Sequence, residues 1–191
     1  KGLGESLFEK FYTRQRAQHH KPVSVLLDRQ YRMHADIMAF SNQVFYENRL
    51  VADESVAQRT AWPGCPVVTF VDTAGCSFDD EQHPETLSSF NPGEAKVVVE
   101  HLEVFLREYE AAHGGLQELT VGLLTPYKAQ AKLLRRTAQQ NEYVWARLAH
   151  LNIDTIDGFQ GQERDVIYLS LVRSNAEGEI GFLKDYRRLN V

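Results

Sequence analysis

Three stretches of the chain combine residue types that could handle a phosphate-bearing ligand. The longest is Thr155-Ile156-Asp157-Gly158-Phe159-Gln160-Gly161-Gln162-Glu163, where two glycines, two glutamines and a glutamate precede an apolar run at residues 166–172. Glycine lets a backbone approach a ligand closely or adopt positive φ. A polar elbow between two strands stands where open α/β sheets bind ligands; a plain tight turn is the alternative. The second stretch is Gln30-Tyr31-Arg32-Met33-His34. An arginine at a strand-to-helix junction can offer its guanidinium fork to a phosphate, or form a surface ion pair. The third is Thr125-Pro126-Tyr127. A threonine hydroxyl and the first amides of a helix suit a phosphate, and Tyr127 can stack on a base. A capping threonine followed by proline is equally good structural grammar. Four acids around the elbow, Asp154, Asp157, Glu163 and Asp165, could bridge two metal ions about 3.5–4 Å apart. Alternation along an extended segment, however, puts Asp154 and Asp157 on different faces.

The elements that must position these groups alternate between helix and strand. Residues 5–18 read as an amphipathic helix with Leu7, Phe8, Phe11 and Tyr12 on one face. His19-His20-Lys21-Pro22 ends it, and the histidine pair reads as a solvated helix end. Residues 23–27 read as a short strand, and 35–46 as a helix with Ile37, Phe40 and Val44 facing inward. A connector follows to Pro66, then a strand at 67–72 and a polar loop at 73–92. The loop is long for a compact domain, so it reads as mobile or as a binding segment. Asn91, Pro92 and Glu94 open a helix to about residue 112, with Val98, Leu102, Phe105 and Tyr109 as its buried stripe. Capping accounts for Asn91 without a site role. Residues 120–124 form a buried strand leading into a helix that ends near residue 140, whose Lys128, Lys132, Arg135 and Arg136 read as its solvated face. Residues 141–150 read as helical. Strands at 151–155 and 166–172, the latter buried on both faces, complete a mostly parallel α/β sheet.

Length and composition fit one soluble domain. At 191 residues the chain can bury a sizeable core, and 43% hydrophobic with 25% charged residues is ordinary for a globular protein. No apolar run approaches the roughly 18 residues of a membrane span. Cys65 and Cys76 are too few for a disulfide framework, and the histidines lack metal-ligand spacing, so a reducing cytoplasmic or nuclear setting is expected and no metal site is assigned. The net charge of −5 is local: residues 79–110 hold nine acids and two bases, whereas residues 119–191 hold ten bases and eight acids. Charge alone therefore does not exclude a nucleic-acid partner.

Taken together, the motifs resemble those of superfamily 1 helicases, and most closely the up-frameshift-type (1B) branch. The elbow is similar to motif V and residues 170–175 to the segment after it. Gln30–His34 resembles motif IV, Ser89-Phe90-Asn91 with Glu94-Ala95 a helix-opening signature, and Leu124-Thr125-Pro126-Tyr127-Lys128-Ala129-Gln130 a nucleic-acid-contacting motif. Residues 181–191 resemble the opening of motif VI. The resemblance covers nearly the whole chain. It implies a single RecA-like domain over residues 1–191, the second motor domain of an ATP-dependent DNA or RNA helicase that translocates 5′→3′. It also implies ATP and Mg²⁺ held mainly by a first RecA-like domain of the same protein.

The resemblance implies roles residue by residue. Arg32 would be the catalytic contact to the γ-phosphate. Gly161, Glu163 and Arg188 would join it at the nucleotide. Thr125, Pro126, Tyr127, Thr155 and Arg173 would hold single-stranded DNA or RNA. Motif VI in the family continues as Ala-Leu-Thr-Arg-Ala; its arginine finger would lie beyond Val191, so neither Arg187 nor Arg188 is assigned that part. Leu50-Val51-Ala52-Asp53-Glu54 resembles a Walker B strand end, yet no G-x-x-x-x-G-K-[ST] occurs in the chain and the segment follows motif IV. Asp53 and Glu54 are therefore read as loop acids. With motifs I, II and III absent, the chain reads as a piece of a larger protein, unable to hydrolyse ATP alone. Two other readings stay open: a non-enzymatic nucleic-acid-binding module, and a metal-dependent nuclease built on the four elbow acids.

Overall fold

The computed structural model describes residues 7–17, 25–116 and 118–184. The chain divides into two compact units, Lys1–Arg59 and Thr60–Val191. Among the described residues no helix is long and apolar enough to cross a membrane.

The first unit holds helix α1 (Leu7–Ala17), strand β1 (Arg29–Gln30), helix α2 (Ala35–Phe45) and strand β2 (Val51–Ala52). Of the helix expected at residues 5–18, the described part, Leu7–Ala17, is helical, with Leu7 and Phe11 exposed. Of the strand expected at 23–27, residues 23 and 24 lie outside the described residues, and residues 25–27 join no ladder. Ladder pairing occurs at Arg29–Gln30, in parallel register with Val51–Ala52, while Val25 and Leu27 are exposed and unpaired. A two-residue partner fixes where the strand can form, whatever the local β propensity. The inward stripe assigned to the second helix also needs correction. Ile37, Phe40 and Val44 are exposed and Met38 is buried. The stripe that finds a partner is Met38–Asn42 (one turn apart), because Asn42 exchanges hydrogen bonds of 2.8 and 3.0 Å with the backbone of Leu50, just before β2.

The second unit is built on a three-stranded parallel sheet of order β6-β5-β7, from β5 (Val121–Thr125), β6 (Leu151–Thr155) and β7 (Val166–Leu169). Ahead of it come an antiparallel hairpin, β3 (Glu81–Gln82) with β4 (Ser89–Phe90), and the long helix α3 (Pro92–His113). Helices α4 (Lys128–Gln140) and α5 (Glu142–Trp145) join β5 to β6. One face of the sheet supplies Val121, Leu123 and Ile153 to a core completed by Val99, Leu102 and Leu106 of α3, Leu134 and Ala138 of α4 and Val144 of α5. On the α3 stripe, Leu102 and Phe105 are buried as expected, and Val98 and Tyr109 pack against the core half-buried.

The opposite face is covered differently. Parallel pairing demands that the chain return from the end of β6 to the start of β7, and it does so without a regular α-helix. Phe159 and Ile156 of this return segment form a small cluster with Leu124. A Cβ at Gly122, the second residue of β5, would stand 2.9 Å from Ile167 Cδ1 of the neighbouring β7, so glycine leaves room there for the isoleucine side chain. Two strand expectations fail here. β7 is an edge strand with Ile167 and Leu169 exposed, not a strand buried on both faces, because β5 is its one ladder neighbour among the described residues. Residues 67–72 join no ladder, and Val68, Phe70 and Val71 are exposed.

Candidate nucleic-acid and nucleotide-binding site

In the first unit, the turn carrying Arg32 is built by one side chain. Gln30 Oε1 accepts from the amides of Arg32 (2.8 Å) and Met33 (2.9 Å), and its Nε2 donates to the Met33 carbonyl at 2.7 Å. His34 then caps α2, its Nδ1 accepting from the Asp36 amide at 3.0 Å. Arg32 thus stands exposed at a rigid strand-to-helix junction. Asp53 is tied into structure: it pairs with Arg29 at 3.2 Å and accepts from the Ser55 hydroxyl and amide. The Ser55 hydrogen bonds, more than Arg29, hold its carboxyl below the usual range.

In the second unit, three segments assigned from sequence leave the C-terminal ends of parallel strands, and the structure brings them to one edge of the sheet. Thr125 and Thr155 are register partners at that edge, and the Ile156 amide donates to the Thr125 carbonyl at 3.0 Å. The elbow continues as a 3₁₀ turn, Asp157–Phe159. It is closed by the Gly158 amide donating to Thr155 Oγ1 at 3.1 Å, and Asp154 Oδ1 accepts from the Thr155 amide at 2.7 Å. Gly161 has φ +82 and open space where a Cβ would be, and both it and Glu163 are exposed. Positive φ explains the glycine. Arg164 does not take the Glu163 carboxylate; it donates to the Glu163 carbonyl (2.6 Å) and to Gln162 Oε1 (2.9 Å), with its guanidinium 5.3 Å from the Phe159 ring centre.

Thr125 itself is fully buried, its hydroxyl accepting from the Tyr127 amide at a long 3.5 Å. It therefore sets the backbone at Tyr127 from beneath the surface. Pro126 and Tyr127 are half-buried. The N-terminus of α4 is partly occupied, because Ser88 of the hairpin accepts from the Ala129 amide at 3.1 Å and so caps the helix from outside. Arg173 is half-buried. Its guanidinium meets Asp80 at 3.5 Å, Ser89 Oγ at 3.2 Å and the Glu179 carbonyl at 3.1 Å. Gly181 lies between: a Cβ there would be 2.7 Å from the Tyr127 hydroxyl and 3.7 Å from Arg173. Tyr127, Arg173 and Gly181 thus form one patch. Arg188, with Arg187, lies outside the described residues.

Sequence reasoning passed over the polar network that fixes this patch. Asp80, inside the expected loop, accepts from Ser174 N (2.9 Å) and Asn175 Nδ2 (3.0 Å) and docks the hairpin to the strand end. Gln130, fully buried in α4, accepts from Asn91 N at 2.8 Å and donates to Ser170 Oγ at 3.0 Å. Glu94 Oε2 accepts from the Val172 amide at 2.8 Å, and Asn91 Nδ2 donates to the Val172 carbonyl at 3.1 Å. Burial pushes the Glu94 carboxyl up, opposed by hydrogen bonds from Ser170, Val172 and Leu171. Val172 is buried with φ +76, and Arg173 N donates to the Leu171 carbonyl at 2.9 Å. That is a γ-turn centred on a β-branched residue, a conformation that costs about 1–3 kcal/mol. The available signal was the polar residues Asn91, Glu94 and Gln130 at positions the helical stripes bury.

The four elbow acids do not gather. Asp165 accepts from the Thr120 hydroxyl (2.6 Å) and amide at the start of β5, while Asp154 pairs in register with Leu124 near its end. Among the described residues no group of three His, Cys, Asp or Glu side chains could hold a metal ion.

A parallel α/β sheet flanked by helices, with polar loops at the carboxyl ends of its strands, has the architecture of a RecA-like domain. Comparison with known proteins agrees. The AAA-domain family model matches residues 3–191. DNA polymerase alpha-associated DNA helicase A of Saccharomyces cerevisiae is 38% identical over 182 residues, covering 86% of this chain and 25% of its own length. Helicase sen1 of Schizosaccharomyces pombe is 36% identical over 171 residues (87% and 10%), and DNA-binding protein SMUBP-2 of Rattus norvegicus 32% identical over 200 residues (100% and 18%). The chain belongs to this AAA-domain family, within the up-frameshift-like superfamily 1 helicases. It spans a quarter or less of the length of these relatives.

Proposed function

We propose that the chain is the second motor domain of an ATP-dependent helicase, gripping single-stranded DNA or RNA at the C-terminal edge of its sheet. The observation that carries this reading is the meeting at that edge of segments from β5, β6 and β7, on a chain whose relatives are named helicases. Tyr127 offers a ring for base stacking, worth about 1–3 kcal/mol per base and tolerant of sequence. Thr155 and Pro126 flank it, Thr125 sets its amide, and Arg173 anchors the patch through Asp80.

Arg32 in the first unit, and Gly161 and Glu163 in the second, are the proposed nucleotide contacts, with Arg188 as a further candidate. Each position by itself suits a phosphate: Arg32 is an exposed guanidinium on a turn fixed by Gln30, and Gly161 is an exposed backbone position with no side chain in the way. When bound, ATP with Mg²⁺ supplies the free energy of γ-phosphoryl hydrolysis, and a first motor domain of the same protein would hold both. Arg32 stabilises charge at the transferred group, a part worth about 10³–10⁵ in rate for arginines in such enzymes. Movement is 5′→3′ in this proposal, and the chain without its first domain is inactive.

The test is strand-stimulated ATP hydrolysis by the full-length protein. Arg32→Ala should lower kcat by about 10³ or more with strand affinity kept, and Tyr127→Ala should weaken strand binding by about tenfold, from the stacking energy above. An intact wild type that binds strands but hydrolyses no ATP would leave a binding module in place of a motor.

A further inference from the structure

The γ-turn after β7 needs an explanation that packing alone does not give. Valine at φ +76 is disfavoured by its own Cβ, yet Val172 sits there fully buried. Both polar groups of Val172 are held from the start of α3: its amide donates to the Glu94 carboxylate at 2.8 Å, and its carbonyl accepts from Asn91 Nδ2 at 3.1 Å. Asn91 is in turn fixed by Gln130 of α4, which also reaches Ser170. The residue that follows the turn is Arg173, whose guanidinium meets Asp80 and Ser89 and lies beside Gly181 and Tyr127.

We propose that Glu94, with Asn91, is a positioning residue for the nucleic-acid grip: it holds the Leu171–Val172–Arg173 turn in its strained form and thereby aims Arg173 into the Tyr127 patch. Helix capping does not require this. Asn91 Oδ1 already caps α3 through the Glu94 amide at 2.9 Å, so the Glu94 carboxylate is left to serve the turn. A half-buried carboxylate facing amides and a hydroxyl loses part of its hydration, and its role here is to hold Val172 N in a conformation that valine would otherwise leave. The inference rests on the proposed strand grip and deepens it.

The test uses full-length protein and a fluorescent single-stranded oligonucleotide, with strand affinity and melting temperature measured side by side. Glu94→Ala should raise the strand Kd by about tenfold, the equivalent of one 1.4 kcal/mol step, with kcat at saturating strand unchanged. Glu94→Gln keeps an oxygen that can accept from Val172 N and should stay within about twofold of wild type by the same scale. The decisive variant is Glu94→Ala with Val172→Gly. Glycine adopts positive φ without a clamp, so affinity should recover to within about threefold even as the lost valine lowers the melting temperature further. A merely structural role would move affinity and stability in the same direction, and that result would overturn the proposal. So would Glu94→Ala binding like wild type, or Glu94→Gln binding as poorly as Glu94→Ala while folded. Tyr127→Ala is run alongside. If it leaves affinity unchanged, the grip itself is misplaced and the proposal falls with it; if it weakens binding while Glu94→Ala does not, only the positioning part fails.

Discussion

At the scale of single residues, the patch is organised by close approach as much as by charge. Gly181 has φ +52, and a Cβ there would crowd the Tyr127 hydroxyl at 2.7 Å. Gly181→Ala is therefore expected to push the ring aside and weaken strand binding several-fold, about 1 kcal/mol by the scale of one stacking contact. Tyr127→Phe removes the atom that collides and keeps the ring. The double variant should bind better than Gly181→Ala alone, a non-additivity that a binding cycle measures directly. Additive losses would mean that the glycine serves only its own backbone. Arg32 illustrates the same principle elsewhere in the chain. Its residue type suggested phosphate chemistry, but what makes it usable is Gln30, whose three hydrogen bonds fix the turn on which it stands.

At the scale of elements, stability and legibility are linked. Helices α3 and α5 are stapled by Glu110, which accepts from Arg147 at 2.8 and 3.1 Å and from the Tyr143 hydroxyl, while Arg147 lies 3.5 Å from the centre of the Tyr143 ring. The Arg147 hydrogen bonds, then Tyr143, hold the Glu110 carboxyl below the usual carboxylate range. A depressed folded value means the staple contributes fully above the unfolded value near 4.3 and is lost as pH falls through the folded one. The pair is partly exposed, so its contribution is at most about 1 kcal/mol, or about 2–4 °C in Tm. Wild type should melt above Glu110→Gln at pH 7, and the gap should close below about pH 4; a gap independent of pH would count against the ionic account. Elements of this kind were readable when they carried their own periodicity or caps. Asn91-Pro92 announced α3, the apolar run Val121–Leu124 announced the burial of β5, and Leu151–Thr155 was placed to the residue. The failures came where a partner decides. Residues 25–27 and 67–72 have strand composition but no ladder, β7 has an exposed face, and the hairpin Glu81–Phe90 hides in a polar loop because side chains, Asp80 and Ser88 above all, dock it. The candidate site was legible as motifs, while the γ-turn and the clamp behind it were not, because hydrogen bonds between residues 94 and 172 leave no local pattern.

At the scale of the whole chain, a net charge of −5 sets what kind of nucleic-acid binding is possible. Acids concentrate in residues 79–110 and bases in residues 119–191, so no general positive field draws a strand in. In the proposed grip, binding comes from stacking at Tyr127 and a few local cations, of which Lys128 is exposed beside Tyr127 at the start of α4. For single strands, log K falls with log salt at a slope of about −0.7 for each phosphate neutralised. The contribution of this domain should therefore be shallow, and Lys128→Ala in the full-length protein should flatten the measured slope by about 0.7. Tyr127→Ala should instead weaken binding equally at every salt concentration, since stacking releases no counterions. Titrations between about 50 and 200 mM salt separate the two. A Lys128→Ala slope equal to wild type would place the phosphate contacts elsewhere in the protein, whereas a Tyr127→Ala loss that shrinks as salt rises would mean the ring is not stacking on bases but supporting a charged contact.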